Sequence, residues 1–319
     1  MTVVAGPYFE DLEVGMRVED APSLTLTDGL AAAHRAILGV RLRLTLDAGL
    51  CEAVTGEPRL LADPQLVCDV AIGQSTPITQ RVIANLFYRG LVFHRLPRIG
   101  DTLRTTTEVV ALRQTSRRST GLAALRIRTV DQEDRSVLDF HRCALLPLRD
   151  PNATTGRADD LAAVGTDELD PGPVISGWRL DGLPPAEVTA GTTWTVASGD
   201  VVSSAPELAR LSLNIAAAHH HAGEDGRRLV YGGHTIGLAA AQATRALPGL
   251  LAVVAWHGCD HLAPVYEGDT LTSRLKLERI EPLAAGRLLH LRSEVHAVRA
   301  HDPSETVDVL DWRFVAAAA

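Results

Sequence analysis

Cysteine is scarce in this 319-residue chain: Cys51, Cys68, Cys143 and Cys259 stand far apart. Scattered thiols supply neither a disulfide framework nor a zinc site, so they read as small buried apolar residues. No run of about 20 apolar residues occurs, and Met1-Thr2-Val3-Val4-Ala5-Gly6-Pro7 lacks a basic region followed by an apolar core, which leads us to expect a cytoplasmic protein with no membrane partner. A basic surplus is missing as well. Against 31 Lys and Arg stand 39 Asp and Glu, a formal charge of −8 that argues against a nucleic-acid surface. GxGxxG, the P-loop and Gly-x-Ser-x-Gly are all absent, so nucleotide-dependent and serine-hydrolase chemistry have no support and no separate cofactor is expected.

What the chain does have is an internal repeat. Gly100-Asp101-Thr102-Leu103 returns as Gly268-Asp269-Thr270-Leu271, and Val137-Leu138-Asp139-Phe140 returns in the same order as Val309-Leu310-Asp311-Trp312. After each Gly-Asp-Thr-Leu the residues alternate as in a half-buried strand: Leu271, Ser273, Leu275 and Leu277 against Thr272, Arg274, Lys276 and Glu278, and Leu103, Thr105, Thr107 and Val109 against Arg104, Thr106 and Glu108. Further strands are expected near 120–130, 137–146, 286–298 and 306–315. A helix precedes each meander. The first is opened by Asp63 as N-cap with Pro64 at its first position, and the second runs from about His234 to Ala246 before Pro248-Gly249. One helix followed by an antiparallel meander, twice over, predicts an α+β chain. The acidic, Pro- and Gly-containing stretch 151–178 reads as a linker between modules at 1–150 and 179–319.

The opening Tyr8-Phe9-Glu10-Asp11-Leu12-Glu13-Val14-Gly15, the strand Val82-Ile83-Ala84-Asn85-Leu86, the two Gly-Asp-Thr-Leu segments and Arg227-Arg228-Leu229-Val230-Tyr231-Gly232-Gly233-His234 resemble the MaoC-like hydratase/dehydratase family, most of all its mesaconyl-CoA hydratase (β-methylmalyl-CoA dehydratase) group. That resemblance implies a double hotdog, two tandem modules in each of which a sheet wraps a central helix. It also implies a hydro-lyase acting on an acyl-CoA, with a short branched or dicarboxylic acyl group like that of mesaconyl-CoA, or on an acyl-carrier-protein thioester, coenzyme A entering only as part of the substrate, and a homodimer. Members carry an Asp and a His five residues apart ahead of the central helix; the matching positions are Asn214 and His219. The first half has no such pair around Arg41 to Asp47, so one site per chain is expected.

Hydration of an enoyl thioester needs a group that moves protons and donors for the oxyanion. His219 suits the first task and Asn214 can only position water. Gly232 and Gly233, at a helix N-terminus, suit the second, with Tyr231 and His234 as flanking substrate contacts or packing residues. Arg227 and Arg228 read equally as phosphate or carboxylate binders and as solvated surface charges. The run His219-His220-His221 does not make a metal site, because adjacent side chains cannot converge on one ion. His257 and His261 line the tunnel or are structural, and Asp200 reads as the N-cap of a helix. Competing functions are a 3-hydroxyacyl-carrier-protein dehydratase and a non-catalytic thioester-binding subunit, the latter kept open by Asn214.

Overall fold

The computed structural model describes residues 5–116, 119–165, 168–223, 225–284 and 286–319; Met1 to Val4, the start of the stretch read for a leader, lie outside them. In chain order the elements are β1 (Arg17–Val18), β2 (Leu24–Thr25), α1 (Asp28–Leu38), α2 (Ala48–Thr55), α3 (Pro64–Gln74), β3 (Ala84–Phe93), β4 (Thr102–Gln114), β5 (Thr120–Val130), β6 (Ser136–Pro147), β7 (Thr193–Val201), α4 (Ala205–Leu211), α5 (Gly232–Ala246), β8 (Ala252–His261), β9 (Thr270–Pro282), β10 (Arg287–Val298) and β11 (Thr306–Ala318). Among the described residues no helix is long and apolar enough to cross a membrane.

The strands form one antiparallel sheet in the order β1-β4-β5-β6-β3-β8-β11-β10-β9-β7, with β2 beside β4. The order repeats itself in mirror: β4-β5-β6-β3 and β9-β10-β11-β8 are the same meander, joined where β3 pairs with β8, Phe87 opposite Asp260 and Leu91 opposite Trp256. This is the expected α+β double hotdog. Burial follows the predicted alternation, with Leu103, Thr105, Thr107 and Val109 buried on β4 and Leu271, Ser273, Leu275 and Leu277 on β9.

The central helices are α3 and α5. Asp63 accepts the Gln65 N–H at 2.8 Å and Pro64 occupies the first turn, a cap worth about 1 kcal/mol. All of α3 is buried. Helix α5 begins at Gly232, two residues earlier than expected, and ends before Pro248.

The repeated motifs serve the framework. Gly100 and Gly268 have φ of +99° and +97°, which favours glycine, and the buried carboxylates after them clamp the turn. Asp101 accepts from the Arg98 N–H at 2.9 Å and Arg59 Nη1 at 2.8 Å; Asp269 accepts from the Tyr266 N–H at 3.0 Å and Arg299 Nη1 at 2.7 Å. The second anchor is equally symmetric, since Asp139 is gripped by Arg126 and Asp311 by Arg292 through paired guanidinium bonds.

One local expectation fails. Asp200 lies within β7, not at a helix start; its carboxylate is held by Arg245 at 2.8 Å and Gln242 at 2.7 Å on α5, and Ser204 is the residue that precedes α4. The four cysteines are free and buried.

Candidate active site

The loop bearing Asn214 and His219 leaves α4 through Leu213, a non-glycine residue at φ +62°, and the Asn214 N–H closes the turn onto the Ala209 carbonyl at 2.8 Å. It then docks on the first half of the chain. The Ile215 N–H donates to Thr76 Oγ1 at 3.0 Å and the Ala217 N–H to the Gln80 carbonyl at 3.0 Å. Gly73, near the end of α3, permits this approach: a Cβ there would lie 1.7 Å from the Ser212 carbonyl oxygen. The loop belongs to one module and its seat to the other.

Between them lies a cavity of ≈ 450 Å³ whose lining includes Asn214, His219, Tyr231 and Gly232 from the second half and Tyr88 and Arg142 from the first. No carboxylate among the described residues lines it. His219 is 8% exposed, and its Nδ1 lies 3.2 Å from the Leu229 carbonyl oxygen. Burial pushes its pKa down to about 4, only partly opposed by that hydrogen bond. A carbonyl can only accept, so Nδ1 carries the hydrogen and the lone pair sits on Nε2. Asn214 Oδ1 is committed to the Ala216 N–H at 2.9 Å, while His220 Nε2 braces the Asn214 carbonyl at 2.7 Å. What Asn214 can offer a ligand is therefore the donor end of its amide.

Tyr231 lines the cavity and donates its hydroxyl to Asp69 Oδ1 at 3.1 Å. Asp69, fully buried on α3, also binds His34 at 2.9 Å and Gln65 at 2.9 Å, so a three-membered network locks Tyr231 between the central helices. Gly232 faces the cavity; a Cβ there would lie 2.7 Å from His261 Nε2. The N–H groups of Gly232 and Gly233 open α5 and have no partner among the described residues.

Several candidate residues stand elsewhere. A Cβ on Gly233 would meet Asp69 Oδ1 at 2.2 Å, so its missing side chain serves the contact with α3 rather than the cavity. His234 is buried outside the cavity lining, both ring nitrogens lack a partner, and burial pushes its pKa down to about 4. Arg227 and Arg228 are not in the lining either. Arg227 pairs with Asp225 at 2.8 Å and stacks on Tyr266, a lining residue, while Arg228 pairs with Glu267. Each thus already carries a carboxylate partner at the partly exposed surface. His261 lines the cavity with Nε2 unpartnered; His257 instead binds His290 at 3.0 Å away from it.

Among the lining residues that sequence reasoning missed are Tyr88 and Arg142. The signal for Arg142 was available: the inward row of β6 reads Leu138, Phe140, Arg142, Ala144, Leu146, one cation among apolar residues. The corresponding row of β11 is Leu310, Trp312, Phe314, Ala316, Ala318. By the repeat, Trp256 stands where Tyr88 does and Phe314 where Arg142 does, and the matching space in the other half, lined by Val40, Leu42, Trp256 and Trp312, measures only ≈ 10 Å³.

No family model matches the chain. Among curated proteins it is 31% identical over 284 residues to a β-methylmalyl-CoA dehydratase of Chloroflexus aurantiacus, spanning 83% of this chain and 80% of that protein. It is 27% identical to a mesaconyl-CoA hydratase of Cereibacter sphaeroides over 85% of this chain and 83% of the other. Among solved structures, a conserved hypothetical protein of Mycobacterium tuberculosis described as a double hotdog superposes with a TM-score of 0.92 at 53% identity over the whole of both chains. A putative MaoC domain dehydratase of Chloroflexus aurantiacus gives 0.89 at 25% identity, covering 100% of this chain and 99% of that one. The chain thus belongs to the MaoC-like, double-hotdog hydratase/dehydratase family that includes β-methylmalyl-CoA dehydratase and mesaconyl-CoA hydratase.

Proposed function

We propose that the chain is a hydro-lyase that reversibly adds water across the α,β-double bond of an acyl-CoA thioester, at one site per chain. The observation that carries this is a neutral imidazole, His219, held in one tautomer by the Leu229 carbonyl, in a largely apolar cavity lined by no carboxylate among the described residues and beside the N-terminus of α5. The names of its relatives support coenzyme A as the thiol.

In the hydration direction, the thioester oxygen lies against the N–H groups that open α5, which stabilise the charge that grows on it. Nε2 of His219 removes a proton from water as the water oxygen bonds to the β-carbon. The imidazolium then returns that proton to the α-carbon, the enolate collapses to the thioester, and the neutral imidazole is restored. Asn214 positions the water by donating from Nδ2, since its oxygen is already engaged. Among the described residues no carboxylic acid stands in the lining to share the work, and in this reading His219 carries both proton steps. Coenzyme A enters as part of the substrate, and cytoplasmic residence and a homodimer complete the reading. The cavity itself draws on both modules of one chain.

The test is the loss of enoyl absorbance when purified protein meets crotonyl-CoA or mesaconyl-CoA. His219→Ala is expected to lower kcat by about 10²- to 10⁴-fold. A variant as fast as the parent refutes the assignment, and a parent inert toward both thioesters refutes the reaction.

A further inference from the structure

Arg142 is a charged side chain in a place where the fold asks for an apolar one. It sits on the inward row of β6, 3% exposed, among Leu138, Phe140, Ala144 and Leu146. A guanidinium stays protonated under all ordinary conditions, so its burial has to be met by partners. Those within the protein are incomplete. Nη2 donates to the Ser75 carbonyl at 3.1 Å and to Thr79 Oγ1 at 2.7 Å, whereas Nε, fully shielded from solvent, has no partner. No carboxylate among the described residues pairs with it, whereas the other arginines buried as deeply, Arg98 and Arg299, pair with Glu57 and Asp269. Buried arginines are normally paired.

The contacts to Ser75 and Thr79 could be purely structural, securing the end of α3. The other half of the chain argues against that. There the same strand position is Phe314, fully buried, and α5 ends without a cation from that strand. The double hotdog therefore needs no arginine at this position. The difference between the halves coincides with the cavity: ≈ 450 Å³ where Arg142 stands and ≈ 10 Å³ on the other side.

We infer that Arg142 is the specificity-determining residue of the site, a buried receptor for a free carboxylate on the acyl group, which selects CoA monothioesters of dicarboxylic acids over neutral acyl chains. This rests on the hydro-lyase reading, and it moves anion recognition from Arg227 and Arg228, both already paired, to the module opposite the His219 loop. Nη2 is already committed to Ser75 and Thr79, so an acyl carboxylate meets the remaining N–H groups of the guanidinium, while an acyl group lacking one leaves the charge unmet.

Two measurements test it. Calorimetric titration of the unaltered protein with succinyl-CoA and butyryl-CoA, equal in acyl length and different in the terminal carboxylate, should show the former binding tighter, and equal affinities overturn the inference. The kcat/KM for mesaconyl-CoA divided by that for crotonyl-CoA should then fall on the order of 100-fold in Arg142→Met, as expected for removing one partner of a buried charge pair. Arg142→Lys, which keeps the charge but not the fork, should recover part of that ratio. A ratio unchanged in Arg142→Met, whether both substrates slow together or neither does, assigns the residue to structure and overturns the inference. If the unaltered protein hydrates neither enoyl thioester, the reaction is wrong, and the binding comparison still decides what Arg142 does.

Discussion

Acidification separates this histidine from an ordinary one. An exposed imidazole titrates near 6.5, but burial pushes His219 to about 4. The gap corresponds to about 3 kcal/mol that protonation must overcome. A base has to be neutral to act, so activity should follow the unprotonated fraction of His219. At pH 5.5 that fraction is about 10% for an ordinary histidine and about 97% for one titrating near 4. The kcat/KM for an enoyl-CoA, measured between pH 8 and 5 in a constant-ionic-strength buffer, should therefore fall by less than about a tenth down to pH 5.5, with its acid limb only below pH 5. Circular dichroism at each pH separates loss of the base from loss of the fold. An acid limb centred near 6.5 in protein that is still folded would refute the burial argument, because it would mean that His219 is solvated in the working enzyme.

The same direction of shift has a stability consequence at His234, whose folded pKa of about 4 also lies below its unfolded value. The unfolded chain takes up the proton first, so stability is complete above about 6.5 and is lost as pH falls toward 4. By pH 5 that loss is about 2 kcal/mol, and His234→Leu should remove it, narrowing the difference between urea unfolding free energies at pH 7 and pH 5 by that amount; an unchanged difference would rule the residue out. Gly73→Ala places a methyl group where the Ser212 carbonyl lies, so the loop must shift. Because a displacement of about 1 Å at reacting groups costs on the order of 100-fold in rate, kcat should fall far more than the melting temperature suggests, and parental kinetics would show that the loop does not depend on this contact.

Much of the fold was legible because it is local and periodic. The alternation from Leu271 to Leu277, the Asp63-Pro64 cap and the repeat of Gly-Asp-Thr-Leu each declare themselves within a few residues. Asp200 misled because a short acidic side chain after Ser-Gly is compatible with a helix start, and only its partners Arg245 and Gln242, more than 40 residues away, show that it belongs to a strand. In the site, His219, Asn214, Tyr231 and Gly232 were found because they share one stretch of chain leading into α5. Tyr88 and Arg142 were not, and His261 stayed open between lining the tunnel and a structural role, since they come from strands whose meeting with that stretch depends on how the halves pair. Gly233 and His234 sit one and two positions beyond Gly232, yet the turn of the helix carries them away from the cavity and toward α3.

Placing both modules in one chain is what allows the site to be asymmetric. In a dimer of a single module, position 88 and position 256 would be the same residue, so an aromatic plug in one site would plug the other. Here Tyr88 and Arg142 line the open space, while Trp256 and Trp312 line its nearly filled counterpart. The open side is costly to the fold, with Arg142 Nε, Asn85 Oδ1 and His261 Nε2 all buried without partners, each a penalty of about 1–3 kcal/mol when no ligand answers it. The closed side combines a buried donor of its own, Trp312 Nε1, unpartnered among the described residues, with close aromatic packing. Trp256 meets Trp312 edge to face at 5.5 Å and Trp312 stacks on Phe314 at 3.9 Å, fully buried aromatic contacts worth about 0.5–1.5 kcal/mol per pair beyond their area. The two halves thus divide the work: the one that lacks the Asn214–His219 loop supplies from β3 and β6 the cavity wall shared with His219, and the one that bears the loop fills the counterpart space with Trp256 and Trp312.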